Sequence, residues 1–192
     1  LEPLGHWIHA KRLTGNDTGL TGGHQAGPHI PKDVLFAGFP GSFPASEVNP
    51  KHFVTLHIDS HDRTSTATLT WYNNRLFGGT RNESRMTGLG GSNSPFLDQS
   101  NTGALSVFVI ADRQSMHCWI CKDAAEEDAV EAILGPIDPL DSLTISPDGE
   151  TVRRVGSRVV GQPSGAICPH SQESLPSEWL SKFPGGSEIL EE

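Results

Sequence analysis

Two runs, Ala104–Ile110 and Met116–Cys121, are apolar, rich in β-branched and aromatic residues, and only seven and six residues long. Runs of that length and type make strands rather than helices, so the fold must have a sheet at its centre. Further strands are expected at Gly5–Leu13, Phe53–Ser60 and Ser65–Tyr72. Weaker ones are expected at Ser142–Ile145 and Arg153–Val160, around the turn Pro147-Asp148-Gly149. The 21 Gly and 14 Pro punctuate these runs and speak against a helical bundle. Three short helices are expected. Pro31–Gly38 has Pro in its first turn and Gly at its end. Asp123–Leu134 has Asp123 as cap, Gly135-Pro136 as stop, and Ala124, Ala125, Ala129, Val130 and Ile133-Leu134 at helical spacing. Pro176–Phe183 carries Trp179 and Phe183, and Pro184-Gly185-Gly186 follows it as a hinge. The fold class that results is mostly β and barrel-like, with short flanking helices.

The net charge of −9 argues at first against a nucleic-acid partner, but the acid is unevenly placed. Residues 1–122 carry ten Lys/Arg against nine Asp/Glu, whereas residues 123–150 carry nine acids and no Lys or Arg. The field at a footprint matters more than the total, and the first two-thirds is near neutral with basic clusters. The acidic block reads as a solvated helix face. No apolar run approaches the roughly 18 residues of a membrane span. Three cysteines cannot all pair and no signal-like segment is visible, so a reducing, cytoplasmic compartment is expected. The start at Leu1 and the end at Glu191-Glu192 suggest a piece of a longer chain.

Two polar segments are too specific in composition to be plain connectors. Thr14–His29 contains five glycines among Asn16, Asp17, Thr18, His24 and Gln25, directly after Lys11 and Arg12. A loop this long in a compact domain is usually functional. Thr80–Gly91 contains Arg81, Asn82, Glu83 and Arg85 ahead of a glycine-rich tail. Arg pairs bidentately with guanine O6/N7, Asn with adenine, and Asp or Glu accepts from cytosine N4. Acids beside arginines therefore suit a C·G pair. The same residue types also make surface salt bridges and turn caps, so composition leaves both readings open.

Other constellations are weaker. His57, Asp59 and His61 would share one face of a strand and could hold zinc or iron in a hydrolase, but no second cluster completes the site. Cys118 and Cys121 with Cys168 and His170 resemble a zinc knuckle, yet residues three apart on a strand point to opposite faces, and buried core cysteines are the better reading. Pro147-Asp148-Gly149-Glu150 is a faint nuclease echo without a following Glu-x-Lys. There is no phosphate-cradling loop and no nucleophile elbow. A protein-interaction module built on the acidic helix 123–134 remains a third class.

The wording of both segments goes further than residue type. Lys11-Arg12-Leu13-x-x-Asn16-Asp17-Thr18-Gly19-x-Thr21-Gly22-Gly23-His24-Gln25 and Thr80-Arg81-Asn82-Glu83-x-Arg85 resemble the N-terminal domain of EcoRII-type restriction endonucleases. So do Ser60-His61-Asp62, Asn101–Leu105, Glu126-Glu127-Asp128 and Phe183-Pro184-x-Gly186-Ser187-Glu188-Ile189. The resemblance implies a DNA-binding pseudobarrel, an open, mixed-strand β-barrel of the kind found in plant transcription-factor domains, over residues 1–184. Residues 185–192 would then be a hinge or linker.

Within that family the domain is the effector part of a Type IIE enzyme. It has no catalytic centre, metal or cofactor, and cleavage belongs to a separate C-terminal nuclease domain. The implied partner is double-stranded DNA with a CCWGG or related site, gripped in the major groove by arms at about 11–30 and 80–97. The isolated domain would be a monomer. Asp17 and Glu83 would take the cytosine N4 contacts, and Arg81 and Arg85, with Lys11 or Arg12, the guanines. Asn82, His24 and Gln25 would shape the arms or touch bases and phosphates, with Asn16 and Thr18 beside them in the first arm. Two departures stand out. Ser84 and the Met86–Pro95 stretch are less basic than in the family, which implies fewer phosphate contacts. Asp59 stands where a small residue is usual, which gives the metal reading no support.

Overall fold

Alternation of apolar and polar residues builds one nine-stranded sheet. The computed structural model describes residues 5–22, 27–155 and 158–160. Its strands are β1 (Trp7–Arg12), β2 (Lys51–Ile58), β3 (Arg63–Tyr72), β4 (Glu83–Thr87), β5 (Leu105–Ile110), β6 (Ser115–Ile120), β7 (Asp141–Ile145), β8 (Thr151–Val155) and β9 (Arg158–Val160). Two helices accompany them, α1 (Lys32–Gly38) and α2 (Ala124–Leu134). The sheet runs β4-β3-β2-β6-β5-β1-β7-β8-β9. Every pairing is antiparallel except β2 with β6, where Thr55 to Ile58 lie beside Ser115 to Cys118. The sheet curls into a half-barrel, as its mixed, barrel-like reading led one to expect.

The period of two decides what lies inside. Val54, Leu56 and Ile58 of β2, Ala67, Leu69 and Trp71 of β3, Met86 of β4, Phe108 and Ile110 of β5 and Met116, Cys118 and Ile120 of β6 form the main core. Val34, Leu35, Phe39, Phe43 and Phe96 cover it. Burying side chains of this size stabilises by about 1.5–3 kcal/mol each. A second, smaller cluster (Ala10, Leu105, Cys121, Ile137 and Leu143) lies where α2 covers β1, β5 and β7, with Val130 and Leu134 of α2 packed on it. Cys118 and Cys121 thus serve two different cores as free thiols. Burial pushes the Cys121 thiol up to about 11.

Several expectations are corrected. The strand expected to reach Ser60 stops at Ile58, and Asp59–His61 is a 3-10 turn closed by Asp62 in the left-handed region. His57, Asp59 and His61 therefore do not share a strand face. Arg153–Val160 is not one strand but the paired β8 and β9. In α2 the expected apolar stripe is only half used, since Ala124, Ala125, Ala129 and Ile133 face out. Nor is its acidic face simply solvated. Glu127 and Glu131 turn to the sheet and pair with Arg12 at 2.6 and 3.0 Å. The expected cap is present, with Asp123 accepting from the Glu126 N–H at 3.0 Å. The Pro147–Glu150 stretch is a turn, in which Ser146 N–H donates to Glu150 and Gly149 N–H to Ser146. The helix at 176–183, the hinge and linker that follow, and Cys168 and His170 lie outside the described residues.

His9 on β1 is fully buried beside Thr144, with Nδ1 and Oγ1 3.1 Å apart. Desolvation, with Lys11, Arg154 and His29 nearby, holds its imidazole well below the usual range. The more exposed His29 shifts the same way, chiefly by desolvation. The folded chain thus refuses protons that the unfolded chain accepts below about pH 6.5. Stability should be full above that value and fall as pH drops through it. Thermal denaturation between pH 8 and 5 should show this loss, with a shallower slope in His9→Gln.

Candidate nucleic-acid interface

Glu83–Thr87, expected as part of a loop, is the strand β4 at one end of the sheet. Its register on β3 pairs Tyr72 with Glu83, Thr70 with Arg85 and Thr68 with Thr87. Alternation then sends Ser84 and Met86 inward and Glu83, Arg85 and Thr87 outward. Just ahead of the strand, the Arg81 guanidinium lies 4.0 Å over the Tyr72 ring, a stacking geometry worth about 0.5–1 kcal/mol at an exposed site. Arg81 also donates to Glu83 Oε1, from Nε at 3.2 Å and Nη2 at 2.5 Å. Arg85 Nη2 lies 3.7 Å from Glu83 Oε2. Burial pulls the Glu83 carboxyl up, but the Arg81 hydrogen bond and the charges of Arg85 and Arg81 outweigh it. The group rests below its ordinary value and stays ionised at neutral pH. Asn82 turns its Oδ1 to the Trp71 indole N–H at 3.0 Å. The result is an Arg-Glu-Arg row whose members hold one another in place.

The loop after β1 is organised from within. Asp17 is 2% exposed. Its Oδ2 accepts from Lys11 Nζ at 2.6 Å and the Thr14 N–H at 2.8 Å, and its Oδ1 accepts from the His29 N–H at 3.3 Å. Thr18 is also buried, and its Oγ1 lies 2.7 Å from that of Thr102. Arg12 faces α2, and its Nε donates to Ile137 O at 2.8 Å. Four of the sequence candidates, Lys11, Arg12, Asp17 and Thr18, are thus engaged within the chain, where they fix the shape of the loop. His24 and Gln25 lie outside the described residues.

The far end of the loop docks on β4. Met86 N–H donates to Pro28 O at 3.0 Å, and the Ser84 hydroxyl donates to Ile30 O. Gly27 makes this approach possible. Its φ is +139°, and a Cβ there would lie 2.0 Å from Met86 O. The Asn16 amide faces the Arg85 guanidinium. With oxygen toward the donors, Asn16 Oδ1 accepts from Arg85 Nη1 at 3.0 Å and Nη2 at 2.8 Å. The two segments singled out in the sequence therefore meet. Tyr72, His29 and Gly27 were missed. Alternation along β3 puts Tyr72 on the outer face, but its contact with Arg81 depends on the β3–β4 register.

A sequence profile of the family described as "Restriction endonuclease EcoRII, N-terminal" matches residues 4–150. The chain belongs to the EcoRII N-terminal domain family. It is 35% identical over 194 residues to the Type II restriction enzyme EcoRII of Escherichia coli, covering 97% of this chain and 46% of that protein. The chain thus spans about half the length of the curated relative it matches. In this member of the family, His57 and Asp59 both meet His117, while His61 turns away. Asp59 Oδ2 lies 2.9 Å from His117 Nδ1, His57 stacks on His117 at 4.7 Å, and His61 turns to Ser60. Among the described residues no three His, Cys, Asp or Glu side chains are grouped to hold a metal.

The Lys11–Asp17 pair is a buried charge pair, with side chains 11% and 3% exposed. Removing one partner leaves the other uncompensated, at a cost of about 3–5 kcal/mol. Urea denaturation of Asp17→Ala should show a loss of that order, larger than for Asn82→Ala on the surface.

Proposed function

We propose that this domain binds double-stranded DNA sequence-specifically, reading a C·G-rich site, CCWGG or related, through the major groove. The observation that carries this reading is the Arg81–Glu83–Arg85 row on the outer face of β4. Its chemistry matches C·G pairs, with guanidinium forks for guanine O6/N7 and a carboxylate acceptor for cytosine N4. Glu83 is ionised and held between two arginines; its Oε1 accepts twice from Arg81, and its Oε2 is the oxygen that offers acceptor capacity to a base amino group. Stacking on Tyr72 holds the Arg81 fork in one plane, which lowers the entropy lost on docking.

The loop after β1 forms the second arm, with His24 and Gln25 reaching bases or phosphates. Lys11, Arg12, Asp17 and Thr18 support this reading as braces of the arm, since their charges and hydroxyls are already engaged. Asn82 shapes the turn into β4. Family membership supports an effector role in a restriction enzyme, with DNA cleavage left to a C-terminal nuclease domain of the same protein. The near-neutral charge of residues 1–122 supports recognition that leans on base contacts more than on phosphate contacts.

Glu83→Ala should weaken binding to the preferred duplex by about 1–3 kcal/mol and relax discrimination at one base pair. A gel-shift series on duplexes with single base-pair replacements would read this. Equal loss on every sequence would sink the base-reading role. The slope of log affinity against log salt should be shallow for the size of the footprint, reflecting few phosphate contacts.

A further inference from the structure

We infer that Asn16, in the loop after β1, is a positioning residue that sets the discrimination exercised by Arg85 on β4. This rests on the DNA-reading role proposed above and adds that the two arms act as one coupled unit.

The amide of Asn16 lies against both terminal nitrogens of Arg85, at 3.0 and 2.8 Å. A guanidinium has only donors, so an amide NH2 there would set donor against donor. Only the carbonyl oxygen satisfies the geometry. One oxygen accepting from Nη1 and Nη2 together is a fork contact, and it fixes the plane of the guanidinium as well as its position. Glu83 touches the same guanidinium from its own strand, with Oε2 3.7 Å from Nη2. Arg85 is thus held from two sides, by a carboxylate on β4 and by an amide on the other arm.

The backbone around Asn16 is equally fixed. Its neighbour Asp17 is tied to Lys11, to Thr14 N–H and to His29 N–H. One residue before His29, Pro28 O accepts from Met86 N–H, and Met86 follows Arg85. A closed circuit therefore runs from Asn16 through Asp17, the His29 backbone, Pro28 and Met86 back to Arg85. Within such a circuit the Arg85 guanidinium, with Nη1 and Nη2 turned to Asn16 and Nε buried, is oriented before DNA arrives, and its outer Nη hydrogens are the ones aimed at a base acceptor. A donor placed about 1 Å or 20° off loses the hydrogen-bond geometry that discriminates bases.

The test compares the wild-type 192-residue chain with Asn16→Ala, Arg85→Ala, the double variant and Asn16→Asp, which keeps an acceptor oxygen toward the guanidinium. Affinities are measured on the best duplex from a random pool and on every single base-pair replacement of it. Arg85→Ala should abolish preference at one base pair. Asn16→Ala should relax preference at that same pair by about tenfold, the double variant should discriminate no worse than Arg85→Ala, and Asn16→Asp should restore discrimination. Relaxation at a different base pair would make Asn16 a direct reader and overturn the assignment. So would equal weakening on all duplexes.

A measurement without DNA separates this from the binding role itself. In the free protein the Arg85 Nη proton signals should be resolved by the fork contact and average together in Asn16→Ala. Unchanged Nη signals would overturn the positioning role even if DNA reading holds. A wild-type chain that binds all duplexes equally would overturn the DNA reading, and the role of Asn16 in specificity with it, whatever the Nη signals show.

Discussion

The carboxylate of Asp17 is the point on which the interface side of the molecule depends. It is buried, and it is satisfied by one ammonium and two backbone N–H groups from three separate stretches of chain. An isolated carboxylate there would be costly. With these partners it becomes a knot that joins β1, the start of the loop and the strap at Gly27–Ile30. Asn16 then has a fixed place beside β4, and β4 has the strap along it. The outward residues of β4 inherit that rigidity. Asn16 and Asp17, in a loop that is flexible by composition, are thereby held in one arrangement.

The sheet was legible wherever one face of a strand meets the core and the other meets solvent. β2 and β6 alternate cleanly, β3 and β5 over most of their length, and the expected positions of all four lie within about two residues of those observed. β1 reads only loosely because Ala10 faces one cluster while the strand lies between β5 and β7 in the sheet interior. β4 was hidden by its own chemistry. Arg85 and Glu83 made the stretch look like a loop, although Ser84 and Met86 are buried beneath them. Local pattern also could not show where β2 ends. A strand running on through Asp59 to His61 would have aligned three metal-ligating side chains, and the 3-10 turn closed by Asp62 takes His61 away from the other two.

The two polar segments stood out in the sequence, but their contacts within the folded chain did not. Residue types named the two segments, but which charges are spent internally depends on contacts far apart in sequence. Arg12 meets Glu127 and Glu131 across more than a hundred residues, so the acids of α2 neutralise a charge that composition assigned to a ligand. Asn16 and Arg85 likewise meet from separate stretches of the chain. Charge counting by region thus located the near-neutral part of the chain without showing which of its charges are paired internally.

The one parallel pairing in the sheet, β2 with β6, bears on the order of assembly. β2, β3 and β4 follow one another as antiparallel neighbours, and so do β5 and β6. Each set can zip from short connections. The β2–β6 seam instead closes a long stretch of chain, whose entropy must be lost before the contacts repay it. The half-sheet that carries the Arg-Glu-Arg row and the half that carries β1 and Asn16 are joined by this seam and by the strap of residues 27–30 on β4. The candidate interface is thus made from chain stretches on both sides of the seam, and its form depends on their being brought together.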